Sequence, residues 1–150
     1  MMSGVSSPTN LLRTLFYSTQ CKNTGESDGV FRYANYIKEA LDLRAAVLYL
    51  RNELGRNVVA VAGHSKGGNA VLLYASLFDD VPLVINIAGR YNMNRGIDER
   101  FGAETLAKVD KLGQVPMTAR SSTGETIQFL LTKADVEERR SLDMNLEASK

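Results

Sequence analysis

The sequence has few of the residues on which much enzyme chemistry depends: of 150 residues one is a histidine, His64, and one is a cysteine, Cys21. A lone cysteine cannot close an internal disulfide, which fits a reducing compartment. With no histidine beside it in sequence, Cys21 reads as a passive thiol. An excess of one charge is also missing. Lys and Arg number 18 against 17 Asp and Glu, a net charge of +1. Stretches such as "KADVEERRSLD" mix the two signs, which predicts a solvated helix face and offers nucleic acid no basic stripe. No apolar run reaches the roughly 18 residues of a membrane span, and "MMSGVSSPTNLLRTLFYSTQCKNTG" lacks the apolar centre of a secretory signal. A cytoplasmic location is the expectation. The same opening has no acid before Glu26, a feature shared with transit peptides, so an organelle such as the chloroplast is the alternative.

What is present is a globular composition, 44% hydrophobic and 23% charged, in a chain long enough for one core. Residues 1–23 are expected to be an irregular N-terminus, and "NTGESDGV" reads as a loop. From Phe31 to Leu54 the pattern is helical. Tyr36, Ala40, Leu43, Val47, Leu50 and Leu54 recur at steps of three and four, Ile37, Leu41 and Leu48 widen the stripe, and Gly55 is placed to end it. "NVVAVAG" is then apolar without alternation, the pattern of a strand covered on both faces. "GGNAVLLYASLF" resumes a helical period until "DDVP", and "LVINIAG" is a second apolar strand. Strand, helix and strand in this order predict a βαβ unit, an α/β class and a parallel sheet.

Downstream, "GIDERFGAETLAKVDKLG" is amphipathic through Ile97, Phe101, Leu106, Val109 and Leu112 and predicts one or two short helices. Residues 113–131 predict a hairpin with "SSTG" as its turn and "TIQFLLT" as its second arm. Thr132 and Asp135 have the spacing of a capping box, opening a helix through "ADVEERRSLDMNLEASK" with no stop signal before Lys150.

The chemistry concentrates in "VVAVAGHSKGGNAVLLYAS". A strand that turns sharply into a helix needs glycines two residues before and after the residue at the tip, because side chains there would strike neighbouring backbone. Gly63 and Gly67 stand so around Ser65, with His64 and Gly68 completing the turn. In such an elbow the serine is the candidate nucleophile, and the Lys66 amide is one oxyanion donor. His64 is ill placed as the base, since adjacent side chains on a tight turn diverge. It is expected to pack beside the elbow as a neutral, hydrogen-bonded ring, and the Lys66 ammonium is expected in solvent.

These segments, with "TGESDGVFRYANYIKEALDLRAAVLYL" and "VINIAGRYNMNRGIDERFG", resemble the α/β-hydrolase superfamily in its serine aminopeptidase-like, or monoacylglycerol-lipase-like, esterase branch. The likeness runs from about Thr24 to the C-terminus. Gly25 and Ser27 match the second glycine and the serine of that branch's G-x-G-x-S loop, whereas Asn23 stands where the first glycine would be. The resemblance implies a partial α/β-hydrolase fold over residues 24–150, with a cap-like segment from about 90 to 150. It also implies Ser65 as nucleophile, Lys66 as oxyanion donor, no cofactor, no metal, and an ester or small acyl compound as substrate. In the superfamily an acid and then a histidine follow the serine. No histidine follows Ser65 here, so the chain is expected to represent the middle of a hydrolase domain and to be inactive by itself. The alternative is a non-catalytic interaction module, with the segment from Ile97 to Leu112 as its surface. In either case unpaired sheet edges favour self-association.

Overall fold

The computed structural model describes residue 17, residues 31–120, residue 124 and residues 126–145. The irregular N-terminus, the loop carrying Gly25 and Ser27, Cys21 and most of the "SSTG" turn lie outside the described residues. The described elements run in the order α1 (Tyr36–Asn52), β1 (Ala60–His64), α2 (Lys66–Phe78), β2 (Leu83–Ile87), α3 (Ile97–Leu112), β3 (Gln114–Arg120), β4 (Thr126–Thr132) and α4 (Lys133–Ser141). β1 and β2 pair in parallel, from Ala60 opposite Leu83 to His64 opposite Ile87. β3 and β4 pair antiparallel, from Gln114 opposite Thr132 to Arg120 opposite Thr126. Mixed helices and strands around a small parallel sheet place the chain in the α/β class.

α1 begins later than its apolar period predicts. Asn35 takes a left-handed conformation (φ 76°) before the first turn, a geometry that asparagine tolerates. The Glu138 carboxylate then receives the backbone N–H of Asn35 at 3.0 Å and of Tyr36 at 2.7 Å, where the helix dipole favours negative charge. The helix ends at Asn52 with Glu53 as its C-cap, and the left-handed turn follows at Gly55 (φ 59°). Its buried face is narrower than expected. Tyr36, Ala40 and Val47 are inside, whereas Ile37, Leu41, Leu48 and Leu54 are exposed, because α1 meets the other described elements along one stripe.

α2 crosses over between β1 and β2 and buries Ala70, Val71, Leu73 and Tyr74. With α1, Val61 and Met93, these form the first apolar cluster. Among the described residues the parallel pair is covered on one face. Val61 and Val84 belong to that cluster, while Leu83, Ile85 and Ile87 are 53%, 41% and 52% exposed. The expectation of two covered faces is therefore wrong: among the described elements no layer packs on the outer face.

The second cluster joins Ile97, Phe101 and Val109 of α3, Phe129 and Leu131 of β4, Val136 of α4, and Tyr33. α3 is two short helices broken at Gly102 (φ 75°, ψ 151°). Ile97, Phe101 and Val109 face this core, and the last apolar residue of the segment, Leu112, is exposed. The capping box is present, with Asp135 N–H donating to Thr132 Oγ1 at 3.1 Å and Thr132 N–H to Asp135 Oδ2 at 3.1 Å.

α4 ends at Ser141; Leu142 and Asp143 interrupt the expected helix, helical backbone resumes at Met144 and Asn145, and residues 146–150 lie outside the described residues. Leu142 is extended, and Met144 is buried in the first cluster, so burial of these apolar side chains redirects the chain. Nor is α4 simply a solvated face: Asp135, Val136 and Arg139 are buried. No helix among the described residues is long and apolar enough to cross a membrane.

Candidate active site

At the end of β1 the chain turns into α2 through one residue, Ser65, at φ 55° and ψ −115°. That region suits glycine and is costly for any other residue. The surroundings impose it. Ser65 N–H continues the parallel ladder by donating to the Ile87 carbonyl at 2.9 Å. A Cβ on Gly63 would lie 2.0 Å from the Gly67 carbonyl oxygen, and one on Gly68 would lie 2.3 Å from Asn86 Oδ1 and 3.0 Å from Gly89 Cα. A Cβ on Gly67 would meet nothing within 4 Å. The close approach of backbone thus requires Gly63 and Gly68; Gly67, expected to be essential, is not sterically constrained.

Ser65 is exposed at the head of α2, and its side chain makes no capping bond to the first turn. The Lys66 N–H, at the first helical position, is one of the amides that an α-helix cannot satisfy internally. No backbone carbonyl among the described residues accepts it.

The neighbours of Ser65 are disposed differently from expectation. His64 is exposed, and it lies opposite Ile87 at the end of the parallel ladder instead of packing against the elbow. The Lys66 ammonium is not free in solvent. It donates to the Ala34 carbonyl and to Glu39 Oε1, each at 2.5 Å, and lies 5.1 Å from the Tyr36 ring centroid. Burial raises the Glu39 pKa above the usual carboxylate value, against the lowering effect of Lys66. The ammonium therefore braces α2 against α1.

Beside Ser65 opens a cavity of about 200 Å³, bounded among others by Phe31, Tyr33, Lys66, Asn69, Arg90 and Arg139. Buried Asn69 fixes one wall: its Nδ2 donates to the Arg90 carbonyl at 2.7 Å, and its Oδ1 receives the Arg90 N–H at 3.1 Å. The preceding Ala88 has φ 54°. Arg139, 7% exposed, donates to the Tyr36 hydroxyl at 3.1 Å. Burial raises the Tyr36 pKa although Arg139 nearby opposes it. Sequence reading did not single out Asn69, Arg90 or Arg139. The one available signal was Arg139, which stands three residues after Val136 and so shares its buried helix face.

Among the described residues no group of three or more His, Cys, Asp or Glu side chains could hold a metal ion. No protein-family model matches the sequence, and no curated protein matches it at a significant level.

Proposed function

We propose that Ser65 is the nucleophile of a hydrolase-type elbow in a partial α/β-hydrolase fold, with the segment from about residue 90 onward as the cap-like part. Among the described residues none is placed to act as the base that turnover requires. The carrying observation is the Ser65 backbone, held at φ 55° and ψ −115° between a parallel strand and a helix. Such strain persists only where the surroundings over-determine it, and it characterises sites where a side chain must be presented.

The chemistry would be acyl transfer. The Ser65 hydroxyl attacks the carbonyl carbon of an ester, and the Lys66 N–H receives the oxyanion. Collapse expels the alcohol and leaves an acyl ester on Ser65, which water then hydrolyses. Each step needs a group that takes a proton and returns it. His64 is exposed at the strand end, and the Lys66 ammonium is committed to Glu39 and Ala34.

In another serine hydrolase, loss of the serine or the histidine costs about 10⁶-fold in turnover. The purified 150-residue chain is therefore expected to hydrolyse p-nitrophenyl esters no faster than its Ser65→Ala variant, and to react with a fluorophosphonate probe slowly or not at all. Stoichiometric labelling within minutes, abolished by Ser65→Ala, would support the nucleophile and overturn the claim of a missing base.

The bare strip of Leu83, Ile85 and Ile87 favours a second reading, in which the elbow is a fold element and the outer sheet face associates with another protein surface. Ile85→Lys together with Ile87→Lys should then convert an associating species to monomer in sedimentation. A wild-type chain that is already monomeric at high concentration would exclude self-association.

A further inference from the structure

The cavity beside Ser65 has a charge pattern that ester hydrolysis does not require. Arg90, Arg100 and Arg139 all line it, and among the described residues none of the three forms an ion pair with a carboxylate. The groups also crowd one another. Arg90 Nη1 and Arg139 Nη2 donate to the same oxygen, the Arg95 carbonyl, at 2.9 and 3.3 Å. The guanidinium carbons of Arg100 and Arg139 lie 5.3 and 5.4 Å from the Tyr33 ring centroid. Arg139 is buried, whereas Arg90 and Arg100 are exposed, so the like charges gather at the open side of the cavity, where solvent screens them in part and an anion can reach them. Carbonyl and hydroxyl dipoles hold Arg139 in place but supply no negative charge. Tyr36 does not supply it either, because burial favours its neutral phenol.

An oxyanion-bearing ligand would complete this arrangement. Guanidinium forks match carboxylate and phosphate oxygens in geometry. Arg139 spends one N–H on each of its three nitrogens, so donors remain on both terminal nitrogens. Arg90 keeps most of its fork, with one bond to Arg95. Phe31, half-buried at the cavity, provides a surface for a flat apolar body, while the Tyr33 ring is already covered by Arg100 and Arg139. The volume, about 200 Å³, is below that of sites for drug-sized ligands, so the ligand must be compact.

We propose that this cavity binds a small aromatic carboxylate or phosphate monoester, with its anionic group among Arg90, Arg100 and Arg139 and its ring against Phe31. This assignment goes beyond the reading of Ser65 as a nucleophile and does not depend on it.

Calorimetric titration of the full chain with benzoate, phenyl phosphate and the neutral isostere benzamide tests the proposal. At least one anion should bind saturably and at least about ten-fold more tightly than benzamide, with affinity falling as salt is raised; which anion binds better identifies the class. The double variant Arg90→Gln, Arg100→Gln should weaken that binding by about ten-fold or more. Arg56→Gln, at an exposed position remote in sequence from the cavity residues, should leave it unchanged. If the double variant does not fold, Arg90→Gln alone takes its place, and the comparison with benzamide needs no variant. Equal affinity for benzamide, no saturable binding of either anion, or undiminished binding by a folded arginine variant would overturn the proposal. The ligands are unreactive, so calorimetry reports on the cavity while fluorophosphonate labelling reports on Ser65, and either can fail alone.

Discussion

In the β3–β4 hairpin, burial alternates along each strand: Ile127, Phe129 and Leu131 turn inward while Thr126, Gln128 and Leu130 face out. In the β1–β2 pair the inward residues are Val61 and Val84, yet the outward positions of β2 are Leu83, Ile85 and Ile87, as apolar as any core strand. The hairpin is finished as a two-layer unit, with its inner face on α3 and α4. The parallel pair carries a sequence suited to two covering layers and, among the described residues, has one. The strained elbow and its cavity stand at the end of this unfinished sheet. The two halves therefore differ in what holds them: side-chain packing dominates in the hairpin, and close backbone approach dominates at the elbow.

The sharpest way to break that distinction is at Gly63. A methyl there would sit 2.0 Å from the Gly67 carbonyl oxygen and 2.3 Å from its carbon, and neither can move without unwinding the turn. Gly63→Ala is expected to lose more than about 3 kcal/mol, the upper end of overpacking costs. Gly67→Ala meets nothing within 4 Å and should be neutral or gain up to about 1 kcal/mol from helix propensity. Urea unfolding midpoints of the two variants decide it; equal losses would mean that backbone approach is not what the elbow depends on.

On the packing side the matching test is Leu131→Ala against Ile85→Ala. Leu131 is fully buried, and Ile85 is 41% exposed. The first should cost about 3 kcal/mol, as buried leucines do, and the second less than about 0.5 kcal/mol. A large loss at Ile85 would show that the outer face is covered, by another copy or by residues outside those described.

What could be read in the sequence was local physics. The capping box needs only Thr132 and Asp135, three residues apart, and the elbow needs only a strand, Ser65 and its glycines. "TIQFLLT" shows its covered face through period two. What escaped were contacts closed by the fold. Glu138 caps α1 from 103 residues away, which is why α1 starts at Tyr36 and not at Phe31. Lys66 is drawn out of solvent by Glu39, and Arg139 by Met93 and Tyr36. The apolar run of the parallel strands is legible, but composition cannot count layers, so the bare face was missed. The early stop of α4 has the same origin, because Leu142 and Met144 are taken up by a cluster built from other elements.

Acid should act mainly on the elbow half. Burial alone would raise the Asp80 pKa, but hydrogen bonds from Tyr74, Arg44 and Arg51 outweigh it and hold the carboxyl below its usual range. These contacts join α1 to the end of α2. A depressed pKa stabilises the fold when the group is ionised. The contribution is complete above the unfolded value of about 3.9 and is lost as pH falls through the folded value. Glu39 has the opposite sign: its raised pKa contributes below the unfolded value and loses that contribution as pH rises through the folded one. Asp80→Asn is expected to cost about 1 kcal/mol at pH 7, limited by partial exposure, and to flatten the decline in urea midpoint below about pH 4. An unchanged acid limb in the variant would assign that limb to other carboxylates.

The smallest effects come from the two helix starts, where the halves differ most plainly. Thr132 caps α4 with its hydroxyl in an extended conformation (φ −97°, ψ 157°), and Thr132→Ala should cost about 1 kcal/mol through loss of the cap. Ser65 stands at the same position of α2, caps nothing, and sits at φ 55°. Replacing it by glycine removes strain of about 1–3 kcal/mol and adds unfolded-state freedom of up to about 1 kcal/mol, so Ser65→Gly should leave stability unchanged or raise it, by at most about 3 kcal/mol. Ser65→Ala keeps both the strain and the missing cap, and its urea midpoint should stay with the wild type. If Ser65→Gly instead lowers the midpoint, the elbow is not strained, and its backbone no longer argues for a serine kept there to be presented. If it raises the midpoint, the natural residue is one that stability alone would not select.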